Sequence, residues 1–153
     1  MLNFFSYNWT VRDEWIEWCS QLHHDELLQT RNGGVGSILQ TLFHIIEVEY
    51  SWIRGIQGRE DKVHYFEDYQ TLGKVKKLST DLRQEIREFL ITYNEKNDVV
   101  VTVSWDENEY SKNEILHHII AHEIHHIGQL SVWARELGRA PIQSNYIGRT
   151  FKY

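Results

Sequence analysis

A single proline in 153 residues is the property of this sequence that most constrains its fold. Proline breaks a helix interior because it lacks a backbone N–H and its ring clashes with the preceding turn. The one proline, Pro141, lies near the C-terminal end of the sequence, so long helices are permitted almost everywhere. The length suits one hydrophobic core, and we expect a single domain over residues 1–153.

Four segments have the apolar spacing of amphipathic helices, in which hydrophobic residues recur every three or four positions. The predicted helices run from about Phe5 to Leu22, Ile38 to Gly55, Leu72 to Tyr93 and Lys112 to Leu137. Ser37 and Ser111 precede the second and fourth helices and are good N-caps. Gly138 and Pro141 end the fourth helix. Four long helices predict a helix bundle.

The connection between the third and fourth helices is the one segment with a different pattern. Residues 99–105 alternate and are rich in β-branched side chains, which predicts a short strand or an extended crossover. The expected fold class is therefore all-α, an antiparallel four-helix bundle with a long irregular crossover between helices 3 and 4.

Charge and cysteine content restrict the partners and the compartment. The chain has 16 Lys and Arg against 22 Asp and Glu, a net charge of −6. Nucleic acids and anionic lipids favour basic surfaces, so we expect neither nucleic-acid nor membrane binding. The sequence shows neither a signal peptide nor an apolar run of the about 20 residues that cross a bilayer. Cys19 has no partner for an internal disulfide and no basic neighbour to activate it, so we interpret it as a buried apolar residue in a cytoplasmic protein.

Histidines are concentrated in the fourth predicted helix, which has five of the nine. Histidines four residues apart lie on one helix face, where two imidazoles can bind one metal ion. Two such pairs exist, His118 with His122 and His122 with His126. A helical wheel places His122 and His126 beside the apolar stripe, and directs His118, His117 and His125 towards solvent.

A third ligand is needed, because catalytic metal sites usually have three protein donors and one open position. His44 on the second predicted helix is the candidate, whereas the remaining histidines, His64 among them, fall in loops or at helix ends. His44 shares a narrow polar stripe with Gln40, Glu47 and Ser51. Periodicity leaves open whether this stripe lines a cleft or meets water.

The fourth helix also contains an HExxH sequence at residues 122–126. In zinc proteases this motif supplies two ligands and a glutamate base. Here Glu123 falls near the centre of the apolar stripe, where a carboxylate must be paired or protonated. Glu123 is either a base beside the metal or a buried glutamate hydrogen-bonded across the bundle, and both interpretations stay open. The longer protease pattern HExxHxxGxxH is absent, since Gln129 replaces its glycine.

Taken together, these residues resemble the DinB/YfiT-like family of small four-helix-bundle proteins. Tyr7-Asn8-Trp9 is similar to the family's aromatic start, and SILQTLFHIIEVEYSW at residues 37–52 is similar to its second helix. HIIAHEIHHIGQ at residues 118–129, followed by LGRAP at residues 137–141, resembles its "H…HHRGQ…LG..P" signature. Ile127 stands where the family often has arginine.

The resemblance implies a divalent metal ion, usually zinc or nickel, bound by His44, His122 and His126. It also implies one of two activities, hydrolysis or S-transfer with a low-molecular-weight thiol such as bacillithiol. A homodimer is implied as well, and Trp15 and Trp18 on the first helix, taken as exposed aromatics, are compatible with one.

The main functional hypothesis is a metalloenzyme that acts on a small molecule at an open three-histidine site. For hydrolysis, Glu123 or Glu47 (one turn after His44) would take the proton, whereas thiol transfer needs no protein nucleophile. The alternative is a metal-binding or stress-response module without turnover. A third hypothesis is an interaction protein whose histidines have no specific role.

Overall fold

The protein is described here by a computed structural model that covers residues 1–151. Its helices are α1 (Leu2–Cys19), α2 (His24–Leu28), α3 (Ile38–Ile56), α4 (Leu72–Thr92) and α5 (Lys112–Glu136). A 3-10 helix (Phe66–Tyr69) lies between α3 and α4, and the strands β1 (Val100–Val103) and β2 (Asp106–Ser111) lie between α4 and α5. Both α1 and α3 pack against α4 and α5. The four long helices therefore form the predicted helical bundle.

Helix boundaries follow the capping residues of the sequence. The Ser37 hydroxyl accepts the Gln40 N–H at 3.1 Å at the start of α3. At the start of α5, the Ser111 hydroxyl accepts the Glu114 N–H at 3.1 Å, and the Glu114 carboxylate accepts the Ser111 N–H at 2.8 Å. Gly138, with φ of 69°, follows the end of α5 in the left-handed conformation that ends many helices. These caps fix where the two helices that carry the candidate metal ligands begin.

Two segments differ from the predicted elements. Helix α1 begins and ends three residues earlier than predicted, because Cys19 is already followed by a tight turn in which its carbonyl oxygen accepts the Leu22 N–H at 3.0 Å. The crossover is less irregular than predicted, since β1 pairs antiparallel with β2. The sequence did not indicate β2 because its DENEY run contains acidic and amide residues that are rare in strands.

The two tryptophans of α1 that were expected to be exposed are fully or partly buried. Trp15 is fully buried, so its predicted exposure was wrong. Trp18 is half-buried, and its indole N–H donates to the carbonyl oxygen of Ala140 at 2.8 Å. The segment after α5 folds back over this face of α1, which no helical pattern in the sequence could indicate. Cys19 is also buried, and burial raises the pKa of its thiol to about 12, in agreement with an inert apolar role.

None of the helices within residues 1–151 has both the length and the apolar character needed to cross a membrane.

Candidate metal centre

Three histidines from two helices meet at the interface of α3 and α5. His44 is on α3, and His122 and His126 are one turn apart on α5. The Nε2 atom of His122 lies 3.1 Å from the Nε2 atom of His44 and 3.1 Å from that of His126. The candidate ligand atoms of all three lie within 4.8 Å of one another. The structure thus brings together the three histidines that the sequence selected.

The spacing of these ring nitrogens fits one metal ion. Zinc binds imidazole nitrogen at about 2.0–2.1 Å, so two nitrogens in tetrahedral coordination are roughly 3.3 Å apart. The two Nε2–Nε2 distances of 3.1 Å are close to that value. Three imidazoles also suit nickel, copper and iron, so the donor set does not distinguish among these metals.

The three histidines are held in the neutral form that binds metal. Burial, followed by the charge of His126, lowers the pKa of His44 to about 4. Burial and the neighbouring imidazoles lower the pKa of His122 to about 3. Burial also lowers the pKa of His126, against the opposing effect of its hydrogen bond to Gln129. Near neutral pH, each ring therefore offers a lone pair without first losing a proton.

Gln129 fixes the tautomer of His126. The Nδ1–H of His126 donates to Oε1 of Gln129 at 2.7 Å, which leaves the lone pair on the Nε2 atom that faces the cluster. The Gln129 amide in turn donates to the carbonyl oxygen of Gly33 at 2.5 Å. Gly34 lets this loop approach α5, because a Cβ there would lie 2.5 Å from the Trp133 ring. Sequence reasoning missed this support, although Gln129 follows His126 by one helical turn.

Glu123 lies in a buried ion network. The Arg12 guanidinium donates to both of its oxygens, at 2.8 and 2.6 Å, and also to Glu49 at 2.8 Å. Burial by itself would lower the pKa of Arg12, but the two carboxylates outweigh burial and raise it, so the guanidinium stays charged. Glu123 is 1% exposed and is hydrogen-bonded across the bundle. This is the arrangement of a buried structural glutamate, and not that of a base beside the metal.

Glu47 has a different partner. Its two oxygens accept the backbone N–H of His64 at 3.0 Å and the ring Nδ1–H of His64 at 2.6 Å. The His64 ring also lies 5.8 Å from the ring of Tyr69 and 6.0 Å from that of Tyr50. The sequence places His64 in a loop, and the pattern of a single helix carries no information about a loop that folds over that helix.

Two residues of the polar stripe of α3, Glu47 and Ser51, line a cavity, whereas His44 faces His122 of α5. The cavity has a volume of about 220 Å³ and is lined by Glu47, Val48, Ser51, Trp52, Asp61 and Trp105. Glu47 follows His44 by one helical turn, so the cavity lies beside the histidine cluster.

The model of the DinB family matches residues 1–152. The chain belongs to the DinB family. It is 60% identical over 154 residues to a protein of Bacillus subtilis (strain 168) named "Uncharacterized protein YizA", and the match covers 99% of this chain and 97% of YizA. The predicted family is thereby confirmed.

A solved structure shows the same fold. The crystal structure of a DinB-like protein from Bacillus cereus ATCC 10987 matches this DinB family chain with a TM-score of 0.71, at 17% sequence identity. The match covers 93% of each chain. The helical bundle that brings the histidines together is thus also found in a crystallised DinB-like protein.

Proposed function

We propose that this chain is a metal-dependent enzyme in which His44, His122 and His126 hold one divalent ion. The observation that carries the proposal is the meeting of three neutral ring nitrogens within 4.8 Å. Within residues 1–151, no fourth histidine, cysteine or carboxylate belongs to this group. Three protein donors with one position left for a small molecule are typical of catalytic zinc sites.

Hydrolysis of a small-molecule substrate is the reaction we place first. A zinc or nickel ion at this site would supply Lewis acidity and lower the pKa of a water or thiol that binds to it. Glu47 is the better candidate base, because it lines the cavity beside the cluster and His64 holds its carboxylate in place. Arg12 binds both oxygens of Glu123, so we assign Glu123 the role of holding α5, and with it His122, against α1.

S-transfer with a low-molecular-weight thiol of the bacillithiol type is the second candidate. Cys19 is buried and cannot serve as the reacting thiol, so the thiol of such a reaction would have to come from a small molecule. In such a reaction Glu47 would bind substrate and would not act as a base.

Metal content is the first test. Untagged protein should bind one zinc or nickel ion per chain, and His122→Ala should lose that ion. His117→Ala is the matched control, because His117 is an exposed histidine of the same helix outside the cluster. A wild-type chain that binds no stoichiometric metal, or a His122→Ala variant that binds as much as His117→Ala, would overturn the proposal.

Activity assays separate the two reactions. Hydrolysis of chromogenic esters and amides that depends on metal and falls about 10²- to 10⁴-fold in Glu47→Gln, the range for a lost general base, supports the first. A metal-dependent rate that requires bacillithiol and a chromogenic electrophile supports the second. Stoichiometric metal with neither rate contradicts both and favours the metal-binding or stress-response module.

Two further expectations stay proposals. A homodimer is proposed on the resemblance to the family, and a cytoplasmic location on the unpaired cysteine of the sequence. The net charge of −6 continues to argue against a nucleic-acid partner.

A further inference from the structure

The cavity beside the histidine cluster has two tryptophan walls. The rings of Trp52 and Trp105 lie 5.3 Å apart at 77°, in an edge-to-face arrangement. Trp52 is half-buried, and Trp105 is 42% exposed at the outer side. The face of a tryptophan ring attracts cations more strongly than that of any other side chain.

The polar groups of the same cavity are acidic. Glu47 and Asp61 both line it, and its lining contains no lysine or arginine. Glu47 is hydrogen-bonded to His64, whereas Asp61 has no ion pair within residues 1–151. The Asp61 Oδ1 atom is buried without a hydrogen-bond partner in this part of the chain. Burial raises the pKa of Glu47 against the opposing effect of His64, and the charge of Asp61 adds to that rise.

The cavity and the histidine cluster share helix α3. Trp52 follows His44 by eight residues, a rise of about 12 Å along the axis of α3. Glu47 and Ser51 lie on the helix surface between them and line the same cavity. The cavity therefore lies within about two turns of His44 along α3.

We propose that this cavity binds an organic ammonium group, quaternary or protonated, as the cationic end of the substrate. The two indole rings that line the cavity would attract the cation, and Glu47 and Asp61 would balance its charge. The two carboxylates also offset the charge of a divalent ion on the cluster, which would otherwise repel a cation. The assignment of the group to a substrate rests on the proposed function, whereas the ammonium site itself does not.

The test compares two probes of the same shape, choline and the uncharged 3,3-dimethylbutan-1-ol, by isothermal titration with the full chain. Choline should bind at least tenfold more tightly than the alcohol. Asp61→Asn and Trp52→Leu should each weaken choline binding at least fivefold. Glu107→Gln, which removes an exposed carboxylate of the hairpin, is the matched control and should leave it unchanged.

Equal affinities for the two probes, or wild-type choline affinity in Asp61→Asn, would overturn the proposal. Asp61→Asn changes a single atom of a partly exposed residue, so the test does not depend on whether Trp52→Leu folds.

A third variant separates this inference from the proposed function. His122→Ala should lose the metal and still prefer choline to the alcohol. In the wild-type chain, preference for choline without any metal binding would overturn the proposed function alone. Stoichiometric metal with equal affinity for both probes would overturn this inference alone.

Discussion

Single side chains decide which nitrogen atoms are available at the histidine cluster. His126 presents Nε2 because Gln129 accepts its Nδ1–H, and Gln129 is itself held by the Gly33 carbonyl. A ligand with one fixed tautomer binds metal without first rearranging. The affinity of the proposed metal site would therefore depend partly on Gln129, which is not one of its ligands.

Replacing Gln129 by leucine should weaken metal binding about 10- to 100-fold, the usual effect of losing a group that orients a ligand. The His126 ring would lose the acceptor of its Nδ1–H and could then adopt either tautomer. Competition with a chromogenic chelator measures the change. Gln84→Leu, on the exposed surface of α4, is the control, and equal metal affinities in the two variants would contradict the role of Gln129.

Acid should destabilise the metal-free protein. The pKa of His44 is about 4 and that of His122 is about 3 in the folded chain, below the ordinary histidine value of 6.5. As the pH falls below the ordinary value, the two histidines take up protons in the unfolded chain and stay neutral in the folded chain. The stabilisation due to the neutral rings is therefore fully present above the ordinary pKa and is lost as the pH falls towards the folded pKa values.

Urea unfolding with a chelator present, at about pH 7 and about pH 5, measures this loss. The double variant His44→Gln/His122→Gln should show a smaller difference between the two pH values than wild type. His117→Gln should behave as wild type, and a double variant with the full difference would contradict the assignment.

At the scale of helices, Arg12 joins all four long elements, including α4, where it donates to the Ser79 hydroxyl at 3.5 Å. It lies on α1 and binds Glu49 of α3 and Glu123 of α5, all of them buried. A buried arginine that satisfies two carboxylates fixes the relative position of the helices that carry them. Those two helices are the ones that carry the candidate ligands.

Replacing Arg12 by methionine should destabilise the fold by about 3–5 kcal/mol, because it leaves two buried carboxylates without a counter-charge. Urea unfolding measures the change. Arg87→Met, at an exposed position of α4, should stay within about 0.5 kcal/mol of wild type. An Arg12→Met variant as stable as Arg87→Met would show that the network does not hold the helices together.

The loop before α3 packs closely against α5 at Gly34. In Gly34→Ala the new Cβ would lie 2.5 Å from the Trp133 ring, so the loop must move away from α5. We expect a loss of about 1–3 kcal/mol in stability and, through Gly33 and Gln129, weaker metal binding.

Thermal unfolding and chelator competition measure both effects of Gly34→Ala. Gly73→Ala in α4, where a Cβ would have nothing within 4 Å, is the control and should be as stable as wild type or slightly more stable. Unchanged metal affinity in Gly34→Ala would separate the loop from the cluster.

The sequence predicted those elements whose boundaries are set by interactions between residues close together in the chain. Ser37, Ser111 and Gly138 mark helix ends by short-range hydrogen bonds and backbone conformation, and α3, α4 and α5 agree with prediction to within one residue. The wheel also placed His122 and His126 correctly at the edge of the core. Strand β2 was missed because cross-strand pairing, and not propensity, holds it.

The missed parts of the site are contacts between distant segments. Gln129 and Gly33 are 96 residues apart, and Glu47 and His64 are 17 apart. Periodicity reports which face of one helix is buried, but it contains no information about which loop lies over that face.

The molecule as a whole exposes apolar surface on α5. Ile124 is 43% and Val132 is 53% exposed, and a Cβ at the exposed Gly128 between them would have nothing within 4 Å. If the proposed homodimer forms, this part of α5 offers a helix of the second copy a close approach.

Sedimentation should show a dimer for wild type and a monomer for Ile124→Asp/Val132→Asp, since two buried charges would oppose association. Val63→Asp, which changes an equally exposed loop residue, should remain a dimer. A wild-type monomer at micromolar concentration would contradict the homodimer. A dimer that survives the double change would place the interface elsewhere.

The histidine cluster joins positions that are far apart in the chain. His44 and His122 are separated by 78 residues, and the lone cysteine of the sequence cannot form an internal cross-link. An ion held by both would close a loop of that length and restrict the unfolded chain much as a disulfide does. The protein would then carry a cross-link that a chelator removes and added metal restores, so its resistance to unfolding would follow the metal supply around it.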